Sequence, residues 1–212
     1  MTSSWPKYSR YLRDYDRTSR KLNAVLYKMC EDMPTHTDEG AIWAKVWIIG
    51  RAYASGIERH AADGLGPIVG VLRSSARWLD PGLARLRQLE PVPSHERLPQ
   101  IAVLHGKLAE AVREHTRKGN QVRSFVSKYL HFHAPIVPIY DSVVSVQIRA
   151  RDWYPWSRSW SASHPTPQGV DEAYWQHCVR IARIVDDWHS EGLEPTARNI
   201  DAYVYHWADE HS

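Results

Sequence analysis

Apolar residues recur every three to four positions along most of this chain, with charged residues between them, the period of an amphipathic helix. Over 7–33 the stripe is Leu12, Tyr15, Leu22, Val25, Leu26 and Met29, and Pro34 ends it. The polar run Thr35–Asp38 supplies a cap for a second helix over 38–60. That helix carries Trp43, Trp47, Gly50, Ala54 and Ile57 near one stripe. Arg51, Ser55 and Arg59 lie at i, i+4 and i+8 on another. Gly50 and Gly56 would each cost the helix ~1 kcal/mol against alanine, a cost that close approach of a neighbour would explain.

The rest of the chain reads in the same way. The turn 63–66 leads into Pro67, a residue suited to a first helical position, and Ile68, Val71, Leu72 and Leu79 continue the apolar face. Asp80-Pro81-Gly82 reads as a turn, followed by a short helix with Leu83, Leu86 and Leu89, and 90–97 as a surface connection. Leu98, Ile101, Leu104, Leu108 and Val112 mark a helix over 98–117, whose last turn is loaded with Arg113, Arg117 and Lys118. Gly119 stands where a helix C-terminus favours glycine. A helix over 142–150, capped by Asp141, competes with a strand reading because Val and Ile are abundant there. The stretch 151–169 has neither period and is long for a connection. Helices over 171–190 and 197–209, the second capped by Thr196, complete the chain. Tyr174, Cys178, Ile181, Val185 and Trp188 face inward on the first, and Ile200, Val204 and Trp207 on the second. Alternating strands are scarce, so the expected architecture is all-α, a single compact multi-helix domain over 1–212.

Composition adds three constraints. The charge is +3, from 27 basic and 24 acidic residues, too balanced to establish nucleic-acid binding by itself. Arg and Lys are nonetheless dense at 113–128 and 149–158. The two cysteines, Cys30 and Cys178, sit in apolar helical patterns and read as buried thiols. The polar start and the lack of an apolar run approaching ~20 residues imply no signal peptide, no membrane span and a cytoplasmic protein. The 10 Trp and 11 Tyr against 2 Phe are unusual. Rings with a flat face and a polar tip suit stacking on bases or sugars, and equally a half-buried core.

The densest chemistry lies at 119–144, GNQVRSFVSKYLHFHAPIVPIYDSVV. Lys128 has Phe125, Tyr129 and Phe132 at helical spacing. Apolar surroundings disfavour the charged form of a lysine, and a neutral amine is a nucleophile able to form a Schiff base. A lysine whose head reaches solvent is the ordinary alternative. Asp141 opens the following helix. It reads as an N-cap, and a carboxylate held rigidly in that way also stabilises positive charge developing beside it. His131 and His133, two apart on a helix, point about 200° from each other and cannot share one ion. No metal and no cofactor are expected.

The segment SFVSKYLHFHAPIVPIYDSVV resembles the core of helix-hairpin-helix DNA glycosylases, and most closely the 8-oxoguanine DNA glycosylase-like branch. The resemblance covers roughly 98–150 and, more loosely, the last helix with Asp201 and Trp207. Where the family's hairpin usually carries two glycines, this chain has Gly119 alone. The resemblance implies a DNA glycosylase that flips a damaged or modified base out of DNA and cleaves its N-glycosidic bond. Lys128 matches the lysine that attacks the sugar, with possible abasic-site lyase activity, and Asp141 matches the catalytic aspartate. The backbone at 119–124 would grip a phosphate, which assigns Lys118, Gly119, Asn120, Gln121, Arg123 and Ser124 to nucleic-acid binding. For the base pocket the candidates are Trp43, Trp47, Arg51, Tyr53, Arg59, Tyr140, Trp153 and Trp156. That many aromatics and arginines would suit a large polar base, such as a sugar-decorated pyrimidine of phage DNA, while an oxidised purine is what the family implies. The expected partner is DNA, bound by a monomer. Two other readings stay open: a non-catalytic module that binds modified or single-stranded nucleic acid by stacking, and a helical protein-interaction domain.

Overall fold

The computed structural model describes residue 5 and residues 7–53, 55–117, 122–150 and 162–210, without the side chains of 16–20 and 150. Among these residues the protein is all-helical. The main elements are α1 (Tyr8–Asp32), α2 (Glu39–Ala52), α3 (Ile57–His60), α4 (Gly66–Ser74), α5 (Ala76–Arg87), α6 (Leu98–Arg113), α7 (Arg123–His133), α8 (Ser142–Ala150), α9 (Glu172–Ser190) and α10 (Ala197–Glu210). No helix among them is long and apolar enough to cross a membrane.

The fold is built around α7. Every residue from Phe125 to His133 is buried, so beyond its first turn this helix has no solvent face, the state of a helix surrounded by others. α1, α2, α5 and α6 pack against it. Leu26, Ile42, Val46, Ile49, Leu83, Ile101 and Leu108 meet Phe125, Val126, Tyr129 and Leu130 in one cluster. A second cluster joins Trp5 and Tyr11 to α8, α9 and α10 through Val144, Ile148, Trp188, Tyr203 and Trp207. A third joins α6 to α9 through Leu98, Ala102, Tyr174 and Cys178. Both cysteines are free and buried, as their apolar settings imply.

Three expectations about elements need correction. The helix expected over 38–60 stops at Ala52, and α3 starts after Gly56, whose φ of 75° is left-handed. The Asp80-Pro81-Gly82 turn does not form: α5 runs through Pro81. Burial of Leu79, Leu83 and Leu86 on one face of α5 holds it helical, and Asp80 is fixed by His36. The apolar stripe expected on α1 is also displaced. Leu22 and Val25 are exposed, while Asn23, Leu26 and Cys30 are buried. The inward face of α1 is partly polar because Tyr15, Asn23 and Tyr27 take part in a hydrogen-bonded network with Tyr53, His131 and Arg198.

Candidate active site

Burial of α7 from Phe125 to His133 makes partners valuable to its polar side chains, since an unpaired buried polar group is costly, and Ser127, Lys128 and His131 each find one. Those partners are what build the site. The Ser127 hydroxyl donates to the Ser124 carbonyl and accepts the Tyr140 N–H at 2.9 Å, which ties α7 to the segment before Asp141. The same segment is clamped from the other side. The Tyr174 hydroxyl donates to the Pro138 carbonyl at 3.0 Å, and His177 Nε2 donates to the Ile139 carbonyl at 2.8 Å. The backbone of 138–141 is therefore fixed before Asp141 is reached.

Asp141 then does two things at once. Its Oδ1 accepts the Val143 N–H at 2.9 Å, the N-cap of α8. Its Oδ2 takes the Lys128 ammonium at 2.9 Å. Lys128 Nζ also donates to the Tyr53 carbonyl at 2.9 Å, at the end of α2. The lysine is thus buried but paired, rather than isolated among the apolar neighbours its spacing suggested. Lys128 is 7% exposed and Asp141 23%, so the carboxylate is the partner that reaches solvent. Burial alone would raise the Asp141 pKa. The charge and hydrogen bond of Lys128, with the Val143 and Val144 N–H groups, outweigh that and hold it below the usual carboxylate range.

Asp141 opens into a cleft of about 230 Å³. Arg59 and His60 of α3, Arg123 and Ser124 at the start of α7, and Tyr140 share its lining. The Arg123 guanidinium makes a two-pronged ion pair with Asp171, the N-cap of α9, with Nη2 at 2.7 Å from Oδ2. It also lies 5.9 Å from the centre of the Tyr140 ring.

The structure gathers part of the predicted set and separates the rest. Lys128, Asp141, Tyr53 (through its carbonyl), Arg59, Tyr140, Arg123 and Ser124 come together at this cleft. Trp43, Trp47 and Arg51 are not among its lining residues. Trp43 and Trp47 are exposed, because the buried face of α2 is Ala41, Ile42, Lys45, Val46, Ile49 and Gly50. Arg51 pairs with Glu58 at 2.8 Å and covers the Trp47 ring. Lys118, Gly119, Asn120, Gln121, Trp153 and Trp156 lie outside the described residues. His131 and His133 do face different partners: His131 bonds Tyr27 and the Val137 carbonyl, while His133 packs on His36 and Tyr129.

Sequence reasoning gave no role to several residues at the site, His60 and Ser142 of the lining among them. Ser55, on the same stripe as Arg59, lines the cleft. Asp201 of α10 lies within electrostatic reach of both Lys128 and Asp141. Burial lifts its carboxyl to about 6, against the opposing pull of Arg198 and Lys128. Arg198 Nη1 stands 3.8 Å from Asp201 Oδ2 and donates to Tyr15 at 2.7 Å. The i, i+3 spacing of Arg198 and Asp201 was the available signal for that pair.

No protein-family model, curated protein or solved structure matches this chain. The site's chemistry rests on its own geometry: a fixed carboxylate ionised at neutral pH, a buried amine on one of its oxygens, and arginines lining the same cleft.

Proposed function

We propose that the protein is a DNA glycosylase, cleaving the N-glycosidic bond of a damaged or modified nucleotide held with its sugar against Asp141. The observation that carries this reading is the Lys128–Asp141 pair at 2.9 Å, its carboxylate opening into a cleft that Arg59 and Arg123 also line. Loss of a base leaves positive charge on the sugar ring. A preorganised carboxylate in a partly buried site stabilises that charge without reorganising at the moment of reaction. Asp141 is held by Val143 and Lys128 and so costs little to orient.

The attacking group is a water or the Lys128 amine. For the amine to attack, its proton must leave and its bonds to Asp141 and the Tyr53 carbonyl must break. Attack at C1′ forms a carbon–nitrogen bond as the bond to the base breaks, the base leaving with a proton; opening of the C1′–O4′ ring bond then gives a Schiff base, from which strand cleavage can follow. With water as nucleophile, Lys128 stays in place as the cation that keeps Asp141 ionised.

The test is incubation with duplex and single-stranded DNA carrying oxidised purines, alkylated bases and sugar-decorated pyrimidines, with release of base or appearance of abasic sites as the readout. Asp141→Asn is expected to lower release by roughly a hundredfold or more while DNA is still bound. Borohydride reduction during turnover traps a covalent complex if Lys128 attacks and none if water does. Full activity in Asp141→Asn would overturn the role given to the carboxylate. The absence of base loss from every substrate, with salt-dependent DNA binding intact, would favour a non-catalytic reader instead.

A further inference from the structure

The wall of the cleft that comes from α3 is built by a break in the chain. α2 ends at Ala52, the Tyr53 carbonyl turns onto Lys128, and Gly56 reverses the backbone at a φ of 75° before α3 begins. Any other residue at position 56 would be strained there. A side chain would also crowd His60 Nε2 at 3.3 Å. The outcome is that Ser55 and Arg59 both line the cleft into which Asp141 opens.

Two features of this wall are unexplained by the fold. Ser55 is 8% exposed, and its Oγ is buried with no hydrogen-bond partner among the described residues. A buried hydroxyl left unpaired is costly, and of the described side chains in that state Ser55 is the one that lines this cleft, where a ligand would satisfy it. Arg59 is exposed, and no hydrogen-bond or ion-pair partner for its guanidinium is found among the described residues. Arg51, Arg73, Arg113 and Arg123 are by contrast each paired with a carboxylate. A hydroxyl donor and an uncommitted guanidinium on one wall match a phosphate, which offers several acceptor oxygens and negative charge.

We propose that Ser55 and Arg59 form a phosphate subsite on the α3 wall of the cleft, taking a phosphodiester of the bound nucleotide, an assignment that rests on the glycosylase reading. Ser55 Oγ–H donates to one phosphate oxygen and the Arg59 guanidinium neutralises the charge. The sugar between that phosphate and the departing base is thereby held at Asp141. Ser55 and Arg59 are positioning residues; neither takes part in bond making.

The test uses the full chain and a short duplex containing a tetrahydrofuran abasic-site analogue, which presents sugar and phosphates without a base. Binding is measured as a function of sodium chloride concentration. Ser55→Ala is expected to weaken binding roughly tenfold, the loss of one hydrogen bond to a charged group. It should not lower thermal stability, because its hydroxyl holds nothing in the fold. Arg59→Gln is expected to weaken binding and to reduce the slope of log K against log salt by about one. Arg73→Gln, the same change of charge at a surface pair with Glu39, serves as the control and should leave the slope unchanged. If Ser55→Ala and Arg59→Gln both bind as wild type, the subsite is wrong. A Ser55→Ala protein that melts earlier would show a structural hydroxyl and also overturn it. The glycosylase reading is scored separately, by base release in Asp141→Asn. Loss of the Arg59 slope with no base release from any substrate would leave a phosphate site on a non-catalytic protein.

Discussion

Lys128 and Asp141 stabilise one another, and removing either partner exposes that dependence. Lys128→Met fills the same space and leaves the Asp141 carboxylate with its N-cap bond alone. The expected cost is about 1–3 kcal/mol, below that of a wholly dry pair because Asp141 retains some solvent. Urea unfolding at pH 7 measures it, and an unchanged midpoint would mean that the pair contributes nothing. Since Asp141 is held below its ordinary pKa, its contribution is present above the unfolded value of 3.8 and fades as pH falls through the folded one. Asp201 behaves in the opposite sense. Its folded pKa of about 6 lies above the unfolded value. Its favourable contribution is complete below ~4 and is lost as pH rises through about 6. Asp201→Asn should therefore gain stability relative to wild type as pH rises from 5 to 8, by on the order of 2 kcal/mol. A difference between the two proteins that stays constant over that range would show that Asp201 titrates normally.

At the scale of elements, close approach of helix and loop decides several positions. Gly106 of α6 faces the Gly169 carbonyl so closely that an added Cβ would collide with its oxygen. Backbone cannot yield as a side-chain tip does, so Gly106→Ala should lose about 1–3 kcal/mol. Gly70 of α4 has nothing within 4 Å of the same added atom. Gly70→Ala should raise stability by about 0.5–1 kcal/mol through helix propensity and a less flexible unfolded chain. The two variants together, compared by denaturant midpoint, separate steric contact from backbone entropy. Equal effects of the same sign would show that the α6–Gly169 approach is absent.

Across the whole molecule, the clearest consequence of the packing is sensitivity to acid. Burial holds His105 near 3 and His177 near 4, and pushes His131 and His133 well down. His36 is also lowered, since its burial outweighs the pull of Asp80. These rings are neutral in the fold, while the unfolded chain takes up protons below ~6.5. Their folded pKa values are depressed, so stability is full above that value and falls as pH drops toward the folded ones. His105 and His177 alone remove roughly 3 kcal/mol per pH unit between about 6 and 4. Far-UV circular dichroism should show cooperative unfolding in that interval. A protein whose urea midpoint does not move between pH 7 and 5 would contradict the neutral burial of these residues.

Most of the architecture could be read locally. α1, α6, α9 and α10 have a strong 3.6-residue period, and their bounds lie close to those the pattern implies. The caps at Asp141 and Thr196 were legible from residue type, and both side chains accept the expected backbone N–H. Helix formation is a local matter of period, capping and propensity, which sequence carries directly. What sequence misjudged was decided by contacts between distant segments. Pro81 is a breaker by its own chemistry, yet packing of α5 and the hold of His36 on Asp80 keep it in a helix. Trp43 and Trp47 look like pocket walls until α2 turns its aliphatic face and Lys45 inward. The pairing of Lys128 with Asp141 was suggested by resemblance, and the turn at 134–137, closed by the Val137 N–H on the Ala134 carbonyl, brings the two together. The involvement of Tyr53, Ser55, Arg59 and Asp201 needs three further segments to converge. The sequence by itself determined an all-helical chain with a lysine and a capping aspartate at its centre. Only the tertiary structure decided which walls face that aspartate, because burial and pairing depend on neighbours far away along the chain.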